Sequence, residues 1–285
     1  MKTIGVIGCG LMGKGITLNL LKKAYTVYVY DPDPKTMEWI KENGANPVND
    51  LLGLTEKVTV FISSLPTVAV VKETFMGQTG IFKNAQSGSV IIDMSTTDAE
   101  SAIYLAGKAK EQNIYFYDCP VSGGPDGAEK GMLTLMVGGE ETKYQKMLPL
   151  LKDIGKNIYY LGASGNGQIA KLCNNMIVAA TIASFGEAFK VAEKAGVKRT
   201  ALAEVLSTGS ATRVFDVFGS KIVEENYEEV AFSLNHMHKD LSLYMETAAA
   251  FSSTSLIGEQ TFKLFEEAKV KGKGHLDTTV VCDMH

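Results

Sequence analysis

Arginine is nearly missing: Arg199 and Arg213 are the two in 285 residues. No Lys/Arg-rich run compensates, and Lys+Arg 28 against Asp+Glu 32 leaves a net charge of -4. That balance excludes the electrostatic footprint of a nucleic-acid binder or of a protein held on anionic membrane. No CxxC pair occurs. Cys9, Cys119, Cys173 and Cys282 lie far apart, which argues against a disulfide frame or a zinc site and for reduced, mostly buried thiols in a cytoplasmic protein. No apolar run stands out as long enough to span a bilayer. The first eight residues are broken too early by glycine to read as a signal peptide. Charged residues at 21% and aromatics at 8% are ordinary values, so disorder and fibrous repeats are excluded as well.

What is present divides into two halves. Up to about residue 160, β-rich runs alternate with helical stretches. The runs are Thr3–Ile7, Thr26–Tyr30, Val58–Ser63, Ser89–Met94, Ile114–Asp118, Leu133–Val137 and Asn157–Leu161. Several are apolar on both alternating faces, as strands covered on both sides must be. Helices are expected at Met12–Lys23, Thr67–Phe75, Asp98–Glu111 and Glu140–Lys152. After Leu161 the strand pattern stops. A long proline-free stretch, Gly165–Ala195, reads as one helix, followed by helices near Thr200–Leu206, Thr212–Glu224, Leu234–Phe251 and Ser255–Lys269. The expected architecture is an α/β Rossmann-type domain over 1–162, then an all-α domain over 163–285 entered by the long helix.

Gly8-Cys9-Gly10-Leu11-Met12-Gly13 follows the first strand and opens a helix. In that context Gly8 allows a tight turn, Gly10 lets a pyrophosphate approach the backbone, and Gly13 permits close helix–strand packing. The helix N-terminus supplies unpaired N–H groups for the phosphates. Asp31 closes the second strand eighteen positions beyond Gly13. A carboxylate there hydrogen-bonds adenosine ribose hydroxyls and repels a 2′-phosphate, and Pro32-Asp33-Pro34-Lys35 offers no arginine to receive one. The pattern favours NAD over NADP. Asp31 as a turn or helix cap is the plain alternative.

Further signals lie where strands end. Ser63-Ser64-Leu65-Pro66-Thr67 and Asp93-Met94-Ser95-Thr96-Thr97 sit where a nicotinamide site requires them, although Ser95 or Thr97 also reads as a helix cap. Ser122-Gly123-Gly124 can present a hydroxyl and consecutive N–H groups to a carboxylate, or form a simple glycine hairpin. On the long helix, Lys171 and Asn175 are four apart and share a face. The neighbours Ile169, Ala170, Leu172 and Cys173 are apolar or small. Desolvation there, and a nearby nicotinium charge, would disfavour the ammonium and suit acid–base work. A snorkelling surface lysine is the competing reading.

These segments, with Gly127-Ala128, Gly131, Val137-Gly138-Gly139, Gly162–Asn175 and Lys239-Asp240-Leu241, resemble the β-hydroxyacid dehydrogenase family nearly end to end. Departures are few: Cys119 stands where the family has a small residue, and Ile16 where it often has methionine. The resemblance implies Lys171 as general acid/base and Asn175 as its orienting partner. It also implies Ser122, Gly123 and Gly124 as a substrate-carboxylate site, and cofactor contacts at Leu65, Pro66 and Thr96. It implies Lys239 closing over the nicotinamide, and a homodimer or homotetramer. Lys239 as a mere partner of Asp240 is the alternative. An NADPH-dependent semialdehyde or glyoxylate reductase would need a way around Asp31. An imine reductase of related fold usually lacks the lysine, and a 6-phosphogluconate dehydrogenase is longer and more basic. A non-catalytic nicotinamide-binding sensor would not need Lys171, Asn175 and Ser122 together. No metal is expected: His236 and His238 fall on different helical faces, and His275 and His285 lack an acidic cluster. Cys173 reads as a buried thiol rather than a nucleophile.

Overall fold

The structure, a computed structural model, describes residues 2–209 and 212–284, without the side chains of residues 212 and 213. His285 therefore lies outside the described residues. The chain forms two compact units, Met1–Lys171 and Leu172–His285.

The first unit is built on six strands: β1 Thr3–Ile7, β2 Thr26–Tyr30, β3 Asn46–Pro47, β4 Val60–Ser63, β5 Val90–Asp93 and β6 Tyr115–Asp118. They form one parallel sheet in the order β3-β2-β1-β4-β5-β6. The order reverses beside β1, where open α/β sheets bind ligands. Alternation of side chains gives the sheet two apolar faces. Ile4, Val6, Val60, Ile62, Val90, Ile92 and Tyr117 enter one core. Ile7, Phe61, Ile91 and Phe116 enter the other. Each large side chain fully buried this way contributes roughly 1.5–3 kcal/mol. On the second face Phe75, Phe82 and Phe116 pack as a cluster, with Phe75 stacked on Phe82 at 5.5 Å and edge-on to Phe116 at 5.4 Å.

A smaller sheet follows: β7 Val121–Ser122, β8 Leu133–Val137 and β9 Gly155–Tyr160. β7 runs antiparallel to β8, and β9 parallel to it. Instead of turning back as a glycine hairpin, the chain passes from β7 through Gly123 and Gly124, both at positive φ, into a helix over Gly124–Lys130. That helix lies against the helix Leu11–Lys22 so closely that a Cβ on Gly15 would meet the Ala128 methyl at 2.8 Å.

The second unit is helical, with Arg199–Thr208, Thr212–Glu224, Leu234–Ala250 and Leu256–Val270 and two short 3-10 turns. The long helix Asn166–Lys194 carries the unit boundary within it. Contrary to the sequence expectation, this helix is long and apolar enough to cross a membrane by length and composition alone. Its Ala179, Ile182, Phe185 and Phe189 are spent instead on the core of the second unit, with Phe215, Leu241 and Phe265.

Candidate functional site

Strand register places the expected cofactor residues along one edge. Ile7 pairs with Ser63, Ser63 with Asp93, and Asp93 with Asp118. These four residues form a row across the ends of β1, β4, β5 and β6. The glycine turn, Leu65-Pro66 and Thr96 emerge just beyond it.

Gly8 has φ +83, and a Cβ there would collide with the Ser64 carbonyl oxygen. A Cβ on Gly13 would run into the Gly8 carbonyl oxygen. The turn is therefore tight against both the neighbouring loop and itself. Gly10 differs: nothing lies within 4 Å of its would-be Cβ. It caps the helix Leu11–Lys22 without any side-chain hydrogen bond, and no acid occupies the first turn. Leu11 is 68% exposed and Met12 half-buried. Uncapped N–H groups and an open face at Gly10 suit a pyrophosphate.

Asp31 braces this turn. Its Oδ2 accepts the Cys9 N–H at 2.7 Å, and its Oδ1 accepts the Asp33 N–H at 2.9 Å. The turn role anticipated as the plain alternative is thus real, but the cap of the next helix is Asp33, whose carboxylate accepts the Thr36 N–H at 2.9 Å. A carboxylate has further lone pairs, so bracing leaves Asp31 able to accept ribose hydroxyls. Neither Ser95 nor Thr97 caps the helix after β5. Asp98 does so, accepting the Ser101 N–H at 2.6 Å.

Two buried carboxylates at the strand ends were given no role by the sequence. Asp93 accepts the Ser63 hydroxyl at 2.8 Å and the Ser95 N–H at 3.1 Å. Asp118 accepts the N–H groups of Gly165 at 2.8 Å and Gln168 at 3.1 Å, so it holds the start of the helix that carries Lys171. Burial pushes the Asp118 carboxyl up to about 6, against the lowering effect of those N–H groups. The available signal was an acid closing each of two apolar strands, VIID and YFYD. Lys171 is 8% exposed. Ser122 is half-buried, pairing through its backbone with Thr134.

In the second unit, Asn175 is 5% exposed. Its Nδ2 donates to Asp240 Oδ2 at 2.6 Å, and its Oδ1 accepts from Asn174 Nδ2 at 3.0 Å. Lys239 Nζ pairs with Asp240 Oδ1 at 3.2 Å, so Asp240 engages two of the expected residues. His236 Nδ1 meets Ser233 Oγ at 2.9 Å. His238 lies between Glu266 and Lys269. No group of metal-ligating side chains is assembled among the described residues. Cys9, Cys119 and Cys282 are buried as expected, but Cys173 is exposed. Leu172 beside it is buried, while Ile177, one turn further along the face of Cys173, is exposed as well.

A parallel sheet in this strand order, with a glycine turn after β1 and an acid closing β2, defines a dinucleotide-binding protein. Residues 3–162 match the NAD-binding domain of 6-phosphogluconate dehydrogenase, and residues 165–284 match the NAD-binding domain of NADP-dependent 3-hydroxyisobutyrate dehydrogenase. The chain is 34% identical to a probable mitochondrial 3-hydroxyisobutyrate dehydrogenase of Dictyostelium discoideum, covering 99% of this chain and 90% of that protein. It is 32% identical to 2-(hydroxymethyl)glutarate dehydrogenase of Eubacterium barkeri, covering 98% and 93%. The structure of Mycobacterium tuberculosis 3-hydroxyisobutyrate dehydrogenase with L-serine superposes with a TM-score of 0.89 at 28% identity, covering 99% and 98%. The chain belongs to the β-hydroxyacid dehydrogenase family. It is an oxidoreductase that transfers a hydride between a nicotinamide cofactor and a hydroxy acid.

Proposed function

We propose that the enzyme oxidises a short β-hydroxy acid to its semialdehyde, or runs the reverse reduction, with Lys171 as general acid/base and NAD as preferred cofactor. Bound nicotinamide supplies the hydride acceptor or donor. In oxidation, Lys171 Nζ as the free amine takes the hydroxyl proton while the carbinol hydrogen leaves as hydride and C=O forms. In reduction, the ammonium returns that proton to the carbonyl oxygen. Ser122, Gly123 and Gly124 receive the substrate carboxylate, and Leu65, Pro66 and Thr96 support the nicotinamide; for Asn175 and Lys239, in the second unit, the family resemblance supports the roles it implies. The observation that carries this reading is the burial of Lys171 in the unit whose sheet edge bears the glycine turn. The NAD preference rests on Asp31 and on the absence of arginine beside it.

Reduced thiols support a cytoplasmic location. Exposed apolar side chains on the second unit, including Val191, Val205, Leu256, Ile257 and Val270, support a homodimer or homotetramer, to be measured by light scattering.

The test is an absorbance assay at the reduced-nicotinamide band. NAD and NADP are crossed with 3-hydroxyisobutyrate, and NADH and NADPH with tartronate semialdehyde, succinic semialdehyde and glyoxylate. NAD-dependent oxidation of 3-hydroxyisobutyrate, lost in Lys171→Ala, is expected. Faster turnover with NADPH would overturn the Asp31 argument and point to semialdehyde or glyoxylate reduction. Turnover that survives Lys171→Ala would overturn the role of the lysine.

A further inference from the structure

Gln168 is fully buried at the first turn of the long helix, in a place where leucine would fill the same space. Its Oε1 accepts the Thr97 N–H at 3.0 Å, its Nε2 donates to the Ser95 carbonyl at 2.9 Å, and its own N–H reaches Asp118 at 3.1 Å. One amide therefore satisfies both a donor and an acceptor of the loop that follows β5. An apolar residue would leave those two backbone groups unpaired. Thr96 lies between the two residues gripped. The loop is tied onward: Ser95 Oγ accepts the Leu65 N–H at 2.9 Å, and Ser95 N–H reaches Asp93 at 3.1 Å. Lys171 follows Gln168 by three positions, on the same face of the helix.

Leu65 and Thr96 are expected against the cofactor, and Lys171 at the proton. Within one compact unit, Leu65 is hydrogen-bonded to Ser95, Thr96 is flanked by the two residues Gln168 grips, and Lys171 lies one turn along the helix from Gln168. We propose that Gln168 is a positioning residue, locking the cofactor-side loop Ser95–Thr97 and the lysine-bearing turn in one register so that hydride and proton leave the same substrate in concert. The proposal rests on the reading of Lys171 as acid/base. Gln168 touches neither substrate nor cofactor; it acts through Thr96 and Lys171.

The experiment compares Gln168→Leu, Gln168→Glu and Lys171→Ala with wild type, using whichever acid or aldehyde of the panel above the wild type turns over. The Leu variant is expected to lose about 10- to 100-fold in kcat while KM for substrate and cofactor moves by less than about threefold. Deuterium on the transferred hydrogen, at the carbinol carbon of an acid or at C4 of the reduced nicotinamide for an aldehyde, should then slow it more than it slows wild type, because chemistry has become limiting. The Glu variant provides a separate readout if the Leu variant does not fold. A neutral carboxylic acid reproduces the amide, accepting from Thr97 and donating to Ser95, whereas the carboxylate faces the Ser95 carbonyl with no donor. Its kcat relative to wild type should therefore climb as pH falls. A folded Leu variant with wild-type kcat, or a Glu-to-wild-type ratio that stays flat with pH, overturns the proposal while an inactive Lys171→Ala leaves the lysine reading intact. An active Lys171→Ala overturns both.

Discussion

Gly10→Ala separates the demands of the fold from those of the cofactor. Gly10 sits at φ -66 and ψ -161, extended backbone that alanine adopts without strain, and no atom lies within 4 Å of the added methyl. The cofactor-free protein should be unharmed. Restricting the unfolded chain favours the variant by about 0.4–1 kcal/mol, a rise in Tm of a few degrees at most. With cofactor the outcome reverses. The methyl occupies the space into which the pyrophosphate must come, and overpacking of that size costs about 1–3 kcal/mol. This corresponds to binding weakened by roughly 5- to 150-fold. Gly13→Ala is the control, since its methyl would strike the Gly8 carbonyl oxygen and should destabilise the cofactor-free protein itself. Thermal unfolding without cofactor, followed by titration of NADH fluorescence, reads both quantities. Wild-type NADH affinity in Gly10→Ala would refute the placement of the pyrophosphate at this turn.

Three other outcomes are expected. The Asp118 carboxyl rises from 3.8 to about 6 by burial, so between about pH 4 and pH 6 the folded chain keeps a proton that the unfolded chain has released. Its contribution to stability is fullest below that window and is lost as pH rises through it, on the order of a few kcal/mol. The difference in unfolding free energy between wild type and Asp118→Asn, measured in urea across this range, should fall accordingly; a flat difference would contradict the assignment. Asp31→Asn removes the charge that opposes a 2′-phosphate, and the NAD-to-NADP ratio of kcat/KM should drop by about tenfold or more, an unchanged ratio placing discrimination elsewhere. Iodoacetamide on the native protein should label Cys173 alone of the four cysteines, and slowly, because burial raises its thiol; peptide mapping that finds Cys9, Cys119 or Cys282 modified first would be inconsistent with the packing.

The long elements were legible because their chemistry is periodic. Strands such as VIID and the apolar stretch after Gly165 declare themselves, and most helix ends fall within a residue or two of expectation. Short or irregular elements did not. β3 is Asn46–Pro47, with no apolar pattern to read, and β7 is two residues inside a loop of proline and glycine. The helix Pro34–Glu42 was hidden behind a Pro-Asp-Pro run that reads as a turn, although Asp33 before Pro34 is a cap followed by proline at the first helical position. Val58 is buried as a strand residue would be, yet lies two residues before β4 begins. Of the candidate site, the glycine turn and Asp31 were visible through spacing, and Lys171 through the family resemblance. Asp93, Asp118 and Gln168 were not, because a buried polar residue announces itself only through partners brought from distant parts of the chain. Cys173 went the other way: the apolar stretch around it does not tell that Cys173 and Ile177, one turn apart on the helix, are open to solvent while Leu172 is buried.

The brevity of β3 has a consequence for the protein as a solute. It is the last strand on its side of the parallel sheet, the position from which a sheet can recruit a strand of another molecule. Two residues offer little ladder to extend, and Pro47 has no N–H to give. The chain then leaves the sheet through Val48, whose N–H is already donated to Val29 at 3.0 Å. The sheet border at β3 is thereby closed to edge-to-edge aggregation by its own backbone, which keeps the protein free to associate through other surfaces.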